Sequence, residues 1–299
     1  MVTLLTHTVA PEEEGRTVDW VLRRKLGLST RIIQRLKREP EGITVDGQPQ
    51  WVNHPLRAGE QVRAALRETQ TTSVCPTPGP VTVVYEDEEI LVVDKPPLVP
   101  VHPVPGNRTH TLANFLAFRY AGQEQPFVPR ILTRLDKNTS GLVLLARNAY
   151  AAHQLTRQLE AHTIRKEYQA LVVGRPDQPC GLVDTPIGRK EGSVLLREVR
   201  PDGKPAVTRW EIQQAAGPFT LLRVWPLTGR THQIRVHMAH LGYPLVGDFL
   251  YGTECPQLLP RHGLHMARLT LEHPRTGQTL SFHSPLPPDL SVLLQPQIV

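Results

Sequence analysis

Residues 69–80, Thr-Gln-Thr-Thr-Ser-Val-Cys-Pro-Thr-Pro-Gly-Pro, cannot form a helix or an interior strand. The prolines remove backbone donors and fix φ, and no hydrophobic period runs through the stretch. A chain broken in this way has to bury its apolar surface separately on either side of the break. The expected division is a small module over residues 1–68, a linker over 69–80 and a large domain over 81–299. At 299 residues there is material for one large core and one small one.

Several function classes drop out early. No apolar run approaches the roughly 18 residues that a membrane span needs. Residues 1–15 lack a basic segment followed by a long apolar one and carry Glu12, Glu13 and Glu14, so they do not read as a signal peptide. The expected compartment is the cytoplasm. Cys75, Cys180 and Cys255 stand far apart, which argues against a disulfide framework and a zinc site. The 13 histidines include no H-E-x-x-H pair, so a metal site has no support. The net charge of +6 favours a polyanionic partner.

The charge is concentrated near the front. Thr17 is placed to cap a helix burying Val18, Val21, Leu22 and Leu26, with Gly27 to end it. Ser29 is placed to cap a second helix burying Ile32, Ile33 and Leu36. The outward positions include Arg23, Arg24, Lys25, Arg31, Arg35, Lys37 and Arg38, opposed in this stretch only by Asp19. Strands over 43–45 and 61–66 follow. A basic helical face beside a small sheet suits docking on RNA phosphates, through Arg31, Arg35, Lys37 and Arg38 above all. A solvated helix face is the plainer reading.

Beyond the break the pattern is that of a packed domain. Strands are expected over 81–85, 90–93, 166–173, 206–213, 219–227, 265–271 and 278–283, with helices over 111–120 and 149–161. Residues 177–206 read as a hairpin or loop excursion. The Pro-rich loop after Asp94 is stiff and holds Lys95 and His102.

Two stretches carry most of the chemistry. Residues 133–146, Thr-Arg-Leu-Asp-Lys-Asn-Thr-Ser-Gly-Leu-Val-Leu-Leu-Ala, put Arg134 and Asp136 ahead of a polar turn and a buried strand. A carboxylate propped on a core strand is held rigidly. The alternative is an Arg134–Asp136 ion pair in an ordinary loop. In Thr-Gly-Arg-Thr-His-Gln-Ile-Arg-Val-His, residues 228–237, a strand hands over to a helix, with Ile234, Met238 and Leu241 at helical spacing. A helix N-terminus at Gly229-Arg230-Thr231 suits phosphate or carboxylate. Arg230 and Arg235 in surface ion pairs is the alternative there.

Together these stretches resemble the RluA-type pseudouridine synthases. The resemblance spans residues 81–288 through Tyr85-Glu86-Asp87-Glu88, Asp94-Lys95-Pro96, His102-Pro103, Arg134-Leu135-Asp136, Lys166-Glu167-Tyr168, the 228–237 stretch, Gly247-Asp248, His265 and His273-Pro274. The front module, with its Leu-Gly-Leu-Ser and Gly-Ile-Thr-Val-Asp-Gly segments, is similar to the RNA-binding module first known from ribosomal protein S-four. One departure stands out: the family usually has His where this chain has Thr133.

The resemblance implies isomerisation of uridine in RNA, ribosomal RNA ahead of transfer RNA, without cofactor or metal. Asp136 matches the catalytic aspartate, which either attacks the anomeric carbon or removes a sugar proton to give a glycal. Arg235 matches the arginine that pairs with it, an interaction of roughly 4 kcal/mol at about 4 Å before desolvation. Tyr168 matches the tyrosine that stacks on the target base. Arg134 matches an arginine that enters the space left by a flipped base. Arg230 and Lys95 are assigned phosphate contacts. The expected architecture is an α+β domain on a mixed, mainly antiparallel sheet, behind a small N-terminal α/β module. A non-catalytic RNA-binding or ribosome-assembly protein is the alternative. A hydrolase is disfavoured because no second carboxylate stands at a matched spacing.

Overall fold

A computed structural model of the chain describes residues 2–68, 72–122 and 127–295; residues 69–71 of the expected linker lie outside them. The front unit runs β1 (Val2–Thr8), α1 (Val18–Arg24), α2 (Thr30–Leu36), β2 (Ile43–Val45), β3 (Gln48–Pro49) and β4 (Gln61–Arg67). Its sheet order is β1-β4-β2-β3. Thr17 caps α1 by accepting from the Trp20 N–H, and Ser29 caps α2 by accepting from that of Ile32. Both helices bury the expected apolar faces. Strand β1 was not expected. It pairs with β4 along its whole length, from Val2 opposite Arg67 to Thr8 opposite Gln61. Its alternation is masked in sequence because Leu4 faces out while Leu5 and Thr3 face in.

The large unit contains β5 (Thr82–Glu86), β6 (Ile90–Lys95), α3 (Leu112–Arg119), β7 (Arg130–Ile131), β8 (Ser140–Ala146), α4 (Ala149–Glu160) and β9 (Arg165–Val173). It continues with β10 (Cys180–Asp184), β11 (Ile187–Arg189), β12 (Arg197–Val199), β13 (Val207–Ala216), β14 (Phe219–Pro226), α5 (Gln233–His240), β15 (Leu264–Glu272), β16 (Thr279–His283) and α6 (Pro288–Ser291). The main sheet has the order β10-β13-β14-β9-β15-β8-β6-β5, with β16 on β15 and β7 on β8. Every pairing in it is antiparallel except β15 with β8, so the sheet is mixed and mainly antiparallel as expected. The 177–206 excursion is more regular than its Gly and Pro content suggests: β10 is an edge strand of the main sheet, and β11 and β12 form a hairpin of their own.

The prop for the site is β8, which is buried along its whole length. It meets β15 in parallel, His265 opposite Ser140 and Met266 opposite Gly141. Gly141 has φ of 109°, and a Cβ there would run into the Met266 carbonyl. Only glycine lets the two strands close directly behind the Asp136 turn.

The front unit is docked rather than tethered. Tyr150 of α4 sits in the front core with Leu22 and Ile33. Gln154 Nε2 donates to the Gly27 carbonyl at 2.9 Å, and Arg130 pairs with Glu68 at 2.7 Å. Residues 72–80 have no helix or strand, yet they lie along α3, where Asn114 Nδ2 donates to the Cys75 carbonyl at 2.8 Å.

Candidate active site

Asp136 sits on the loop between β7 and β8, and the loop is gripped from several sides. Thr133 is buried and its Oγ1 accepts from the Leu144 N–H at 2.8 Å. The hydroxyl standing where the family usually has an imidazole is thus used to pin the loop to β8. Lys95 Nζ donates to the Lys137 carbonyl at 3.2 Å. Arg261, fully buried, reaches toward the Asn138 carbonyl and pairs with Asp289. Thr139 closes the turn by donating its N–H to the Asp136 carbonyl, and its hydroxyl meets His262 Nε2 at 2.7 Å.

The opposite wall is the entrance of α5. Arg235 Nη1 donates to Asp136 Oδ2 at 3.0 Å. Its other edge forms a bidentate pair with Asp248, Nε to Oδ2 at 2.8 Å and Nη2 to Oδ1 at 2.7 Å. Arg235 is 3% exposed and the Asp248 side chain 0%, against 31% for Asp136. The guanidinium is therefore clamped from inside and presents one N–H to the Asp136 carboxylate. Burial works to raise the Asp248 pKa, but Arg235 and the Leu250 N–H outweigh it, and the pKa ends below the usual carboxylate range. Burial works to lower that of Arg235, but Asp248 and Asp136 outweigh it and hold its charge. Tyr251 packs its ring 5.0 Å from the Arg235 guanidinium carbon.

These groups open into a cavity of about 340 Å³ lined by Arg134, Asp136, Lys166, Tyr168, Arg230, His232 and Arg235. The volume is that of a small-ligand pocket. Tyr168 comes from β9; burial and then the Asp136 charge raise its pKa, so the phenol keeps its proton at neutral pH. Arg134 is exposed at the rim. Arg230 is half-buried, its Nε donating to the Pro205 carbonyl at 2.8 Å. The Arg230 N–H is taken by Gln233 Oε1 at 2.9 Å, so the expected anion cradle at residues 229–231 is partly filled by the chain itself.

Two expected contacts need correction. Lys95 is 0% exposed, and its ammonium is spent on the carbonyls of Pro96, Val99 and Lys137. It braces the Asp136 loop and does not reach a phosphate. Burial and then Arg261 push its pKa down to about 7, while three carbonyl partners, which need three N–H donors, oppose that. Arg35 is half-buried and pairs with Glu39 at 3.5 Å, so it is not a free cation on the α2 face. Arg31, Lys37 and Arg38 are exposed there and are not part of the cavity lining. Sequence reasoning gave no role to Asp248, His232, Tyr251, His262 or Lys166. Gly247-Asp248 was a visible signal, but nothing in its spacing points to Arg235.

The comparisons with known proteins agree on one family. The model described as RNA pseudouridylate synthase matches residues 89–240, half of the chain. The chain belongs to the RNA pseudouridylate synthase family. It is 42% identical over 293 residues to an uncharacterized RNA pseudouridine synthase of Chloroflexus aurantiacus, covering 96% of this chain and 92% of that one. It is 39% identical over 279 residues to the ribosomal large subunit pseudouridine synthase D of Pasteurella multocida, covering 87% and 85%. Human RNA Pseudouridylate Synthase Domain Containing 1 shares the fold with a TM-score of 0.61 at 28% identity, covering 74% of this chain and 91% of that one. As an RNA pseudouridine synthase the chain is an isomerase acting on uridines in RNA. The matched segment holds Asp136, Tyr168, Arg230 and Arg235, whereas Asp248 and His262 lie beyond it. No helix among the described residues is long and apolar enough to cross a membrane.

Proposed function

We propose that this pseudouridine synthase acts on large-subunit ribosomal RNA in the cytoplasm, with Asp136 as the catalytic carboxylate. One arrangement carries the assignment of residues: Asp136 Oδ2 is held by Arg235 at 3.0 Å, across the cavity that Tyr168 lines. Oδ1 has no hydrogen-bond partner among the described residues and faces the substrate. The target uridine leaves the RNA stack to enter a pocket of this size. Arg134, exposed at the rim, fills the gap it leaves. Tyr168 stacks on the uracil and keeps its phenolic proton at the start of the reaction.

The carboxylate either attacks the anomeric carbon, displacing uracil through N1, or removes the sugar 2′ proton to give a glycal. In both routes the uracil turns over and C5 bonds to the anomeric carbon. In the first this breaks the Asp136 ester and frees the carboxylate; in the second Asp136 returns the 2′ proton to the glycal. In both, N1 takes up a proton. The C5 proton then leaves to solvent. Arg134, Arg230 and Lys166 bring positive charge to the RNA backbone at the cavity. Residues 1–68 form the RNA-binding module, gripping phosphates through Arg31, Lys37 and Arg38 on α2. Ribosomal RNA is favoured because the Pasteurella multocida relative is named for the ribosomal large subunit.

The test is release of tritium from RNA labelled at carbon 5 of uridine. Wild type releases label, and Asp136→Asn abolishes release while still binding RNA. Mapping pseudouridines in cells with and without the gene identifies the position. If Asp136→Asn kept its rate, the carboxylate assignment would be wrong.

A further inference from the structure

His232 lines the cavity with one ring nitrogen that has no hydrogen-bond partner among the described residues. His232 is the N-cap of α5 and has φ of +58°. This is left-handed backbone, which costs a non-glycine residue on the order of 1–3 kcal/mol. Its side chain supplies no capping bond to the helix. Gln233 Oε1 ties the preceding turn together by accepting from the Arg230 N–H and the Thr228 hydroxyl. The imidazole, free of capping, lines the cavity.

The Tyr251 hydroxyl offers Nδ1 a partner. Tyr251 Oη accepts from the Arg197 N–H at 3.0 Å. It lies 2.8 Å from His232 Nδ1. A phenol has one proton, and among the described residues the only acceptor it reaches is Nδ1. When the phenol donates there, the neutral ring carries its own proton on Nε2. Burial lowers the His232 pKa, more than the Asp136 charge raises it, so the ring is neutral at pH 7. Nε2 stands 3.8 Å from Asp136 Oδ2, too far for a hydrogen bond. An N–H donor is thus oriented beside the reactive carboxylate and left unspent.

We propose that His232, through Nε2–H, hydrogen-bonds an oxygen of the target nucleoside flanking the anomeric carbon, and so fixes the glycosidic bond against Asp136. Of the acceptor oxygens around that carbon, the ribose 2′-hydroxyl and the uracil O2 can each be replaced singly. The first lies two bonds from the anomeric carbon and the second two bonds from N1. The proposal rests on the assignment of Asp136 above and makes His232 a catalytic residue, since it touches the substrate.

The test uses the full chain and short synthetic RNAs spanning the mapped target. The target position carries uridine, 2-thiouridine or 2′-deoxyuridine, each tritiated at carbon 5. His232→Leu removes the donor, and His232→Gln keeps an amide N–H near the Nε2 position. On uridine RNA the Leu variant loses on the order of tenfold in kcat/KM, the effect of one missing hydrogen bond, and the Gln variant recovers most of it. RNA affinity and melting temperature of the two variants stay alike. On the RNA lacking the true acceptor, wild type falls and the Leu variant falls no further. Coupling with 2′-deoxyuridine identifies the ribose hydroxyl, and coupling with 2-thiouridine identifies O2. Losses that multiply independently with both analogues would overturn the proposal, as would a Leu variant as fast as wild type. Asp136→Asn is run alongside. Label release by that variant would overturn the Asp136 assignment, and the His232 proposal with it.

Discussion

Two regions of this molecule are rich in cations, and they use them in opposite ways. Behind the cavity, Arg235, Lys95 and Arg261 are each 3% exposed or less, and every one is satisfied by carboxylates or carbonyls. On the front module Arg31, Lys37 and Arg38 stand in solvent, Arg23 pairs with a partly exposed Asp19 at 2.7 Å, and the half-buried Arg35 meets Glu39 at 3.5 Å. An exposed pair such as Arg23–Asp19 contributes roughly 0–1 kcal/mol. Removing one partner of a buried pair costs about 3–5 kcal/mol, because the other charge is left uncompensated. The wall behind the cavity therefore uses charge to hold geometry, whereas the module leaves Arg31, Lys37 and Arg38 unspent at the surface, as the proposed RNA contact requires. The first should be sensitive to single substitutions and the second only to their sum.

The sharpest way to break that contrast is at Asp248, whose side chain is 0% exposed and is not part of the cavity lining. Asp248→Asn leaves Arg235 with a single, half-exposed partner. The expected loss is about 3–5 kcal/mol in denaturant unfolding, with at least a hundredfold fall in tritium release. A variant with wild-type stability and rate would show that the clamp is dispensable and that Asp136 alone orients Arg235.

A second way uses pH. Burial and then Arg235 push the His262 pKa down to about 3, against about 6.5 in an unfolded chain. Between these values the unfolded state binds the extra proton, so stability falls as pH drops through 6.5 and goes on falling toward 3. From pH 7 to pH 5 the loss from this one group is roughly 2 kcal/mol, at 1.36 kcal/mol per unit. His262→Gln, which retains a partner for Thr139, flattens the acid limb of a melting-temperature profile by about that amount. An unchanged limb would place the ring in contact with solvent.

How much of this was legible in the sequence depended on whether a residue's partner was near it. Helix caps such as Thr17 and Ser29, the buried run of β8 and the α5 stop at Gly242 follow from local pattern, and they fell within a residue or two. The Asp136–Arg235 pair spans 99 positions, and only the family resemblance suggested it. Asp248 went unassigned because a bidentate clamp is made by the turn after α5, not by any spacing. Lys95 misled for the same reason. A lysine at the edge of a Pro-rich loop reads as an exposed cation until the loop folds its Pro96 and Val99 carbonyls back over the ammonium. Arg35 looked free because Glu39 lies just beyond the stretch whose charges seemed one-signed.

The module makes the smallest and most additive prediction. Arg31, Lys37 and Arg38 are exposed and close together on and just after α2. Each phosphate they neutralise releases counterions and contributes about 0.7–0.9 to the slope of log affinity against log salt. Changing all three to Ala should flatten that slope by about 2–3 and weaken RNA binding at low salt, while label release at saturating RNA stays within about twofold. Arg35→Ala is the internal control. Its guanidinium is already shared with Glu39, so its own effect on the slope should be the least of the four. Equal effects from Arg35 and Arg38 would mean that the Glu39 pair opens when RNA arrives. An unchanged slope in the triple variant would move RNA binding off α2 and leave the cations at the cavity rim to do it alone.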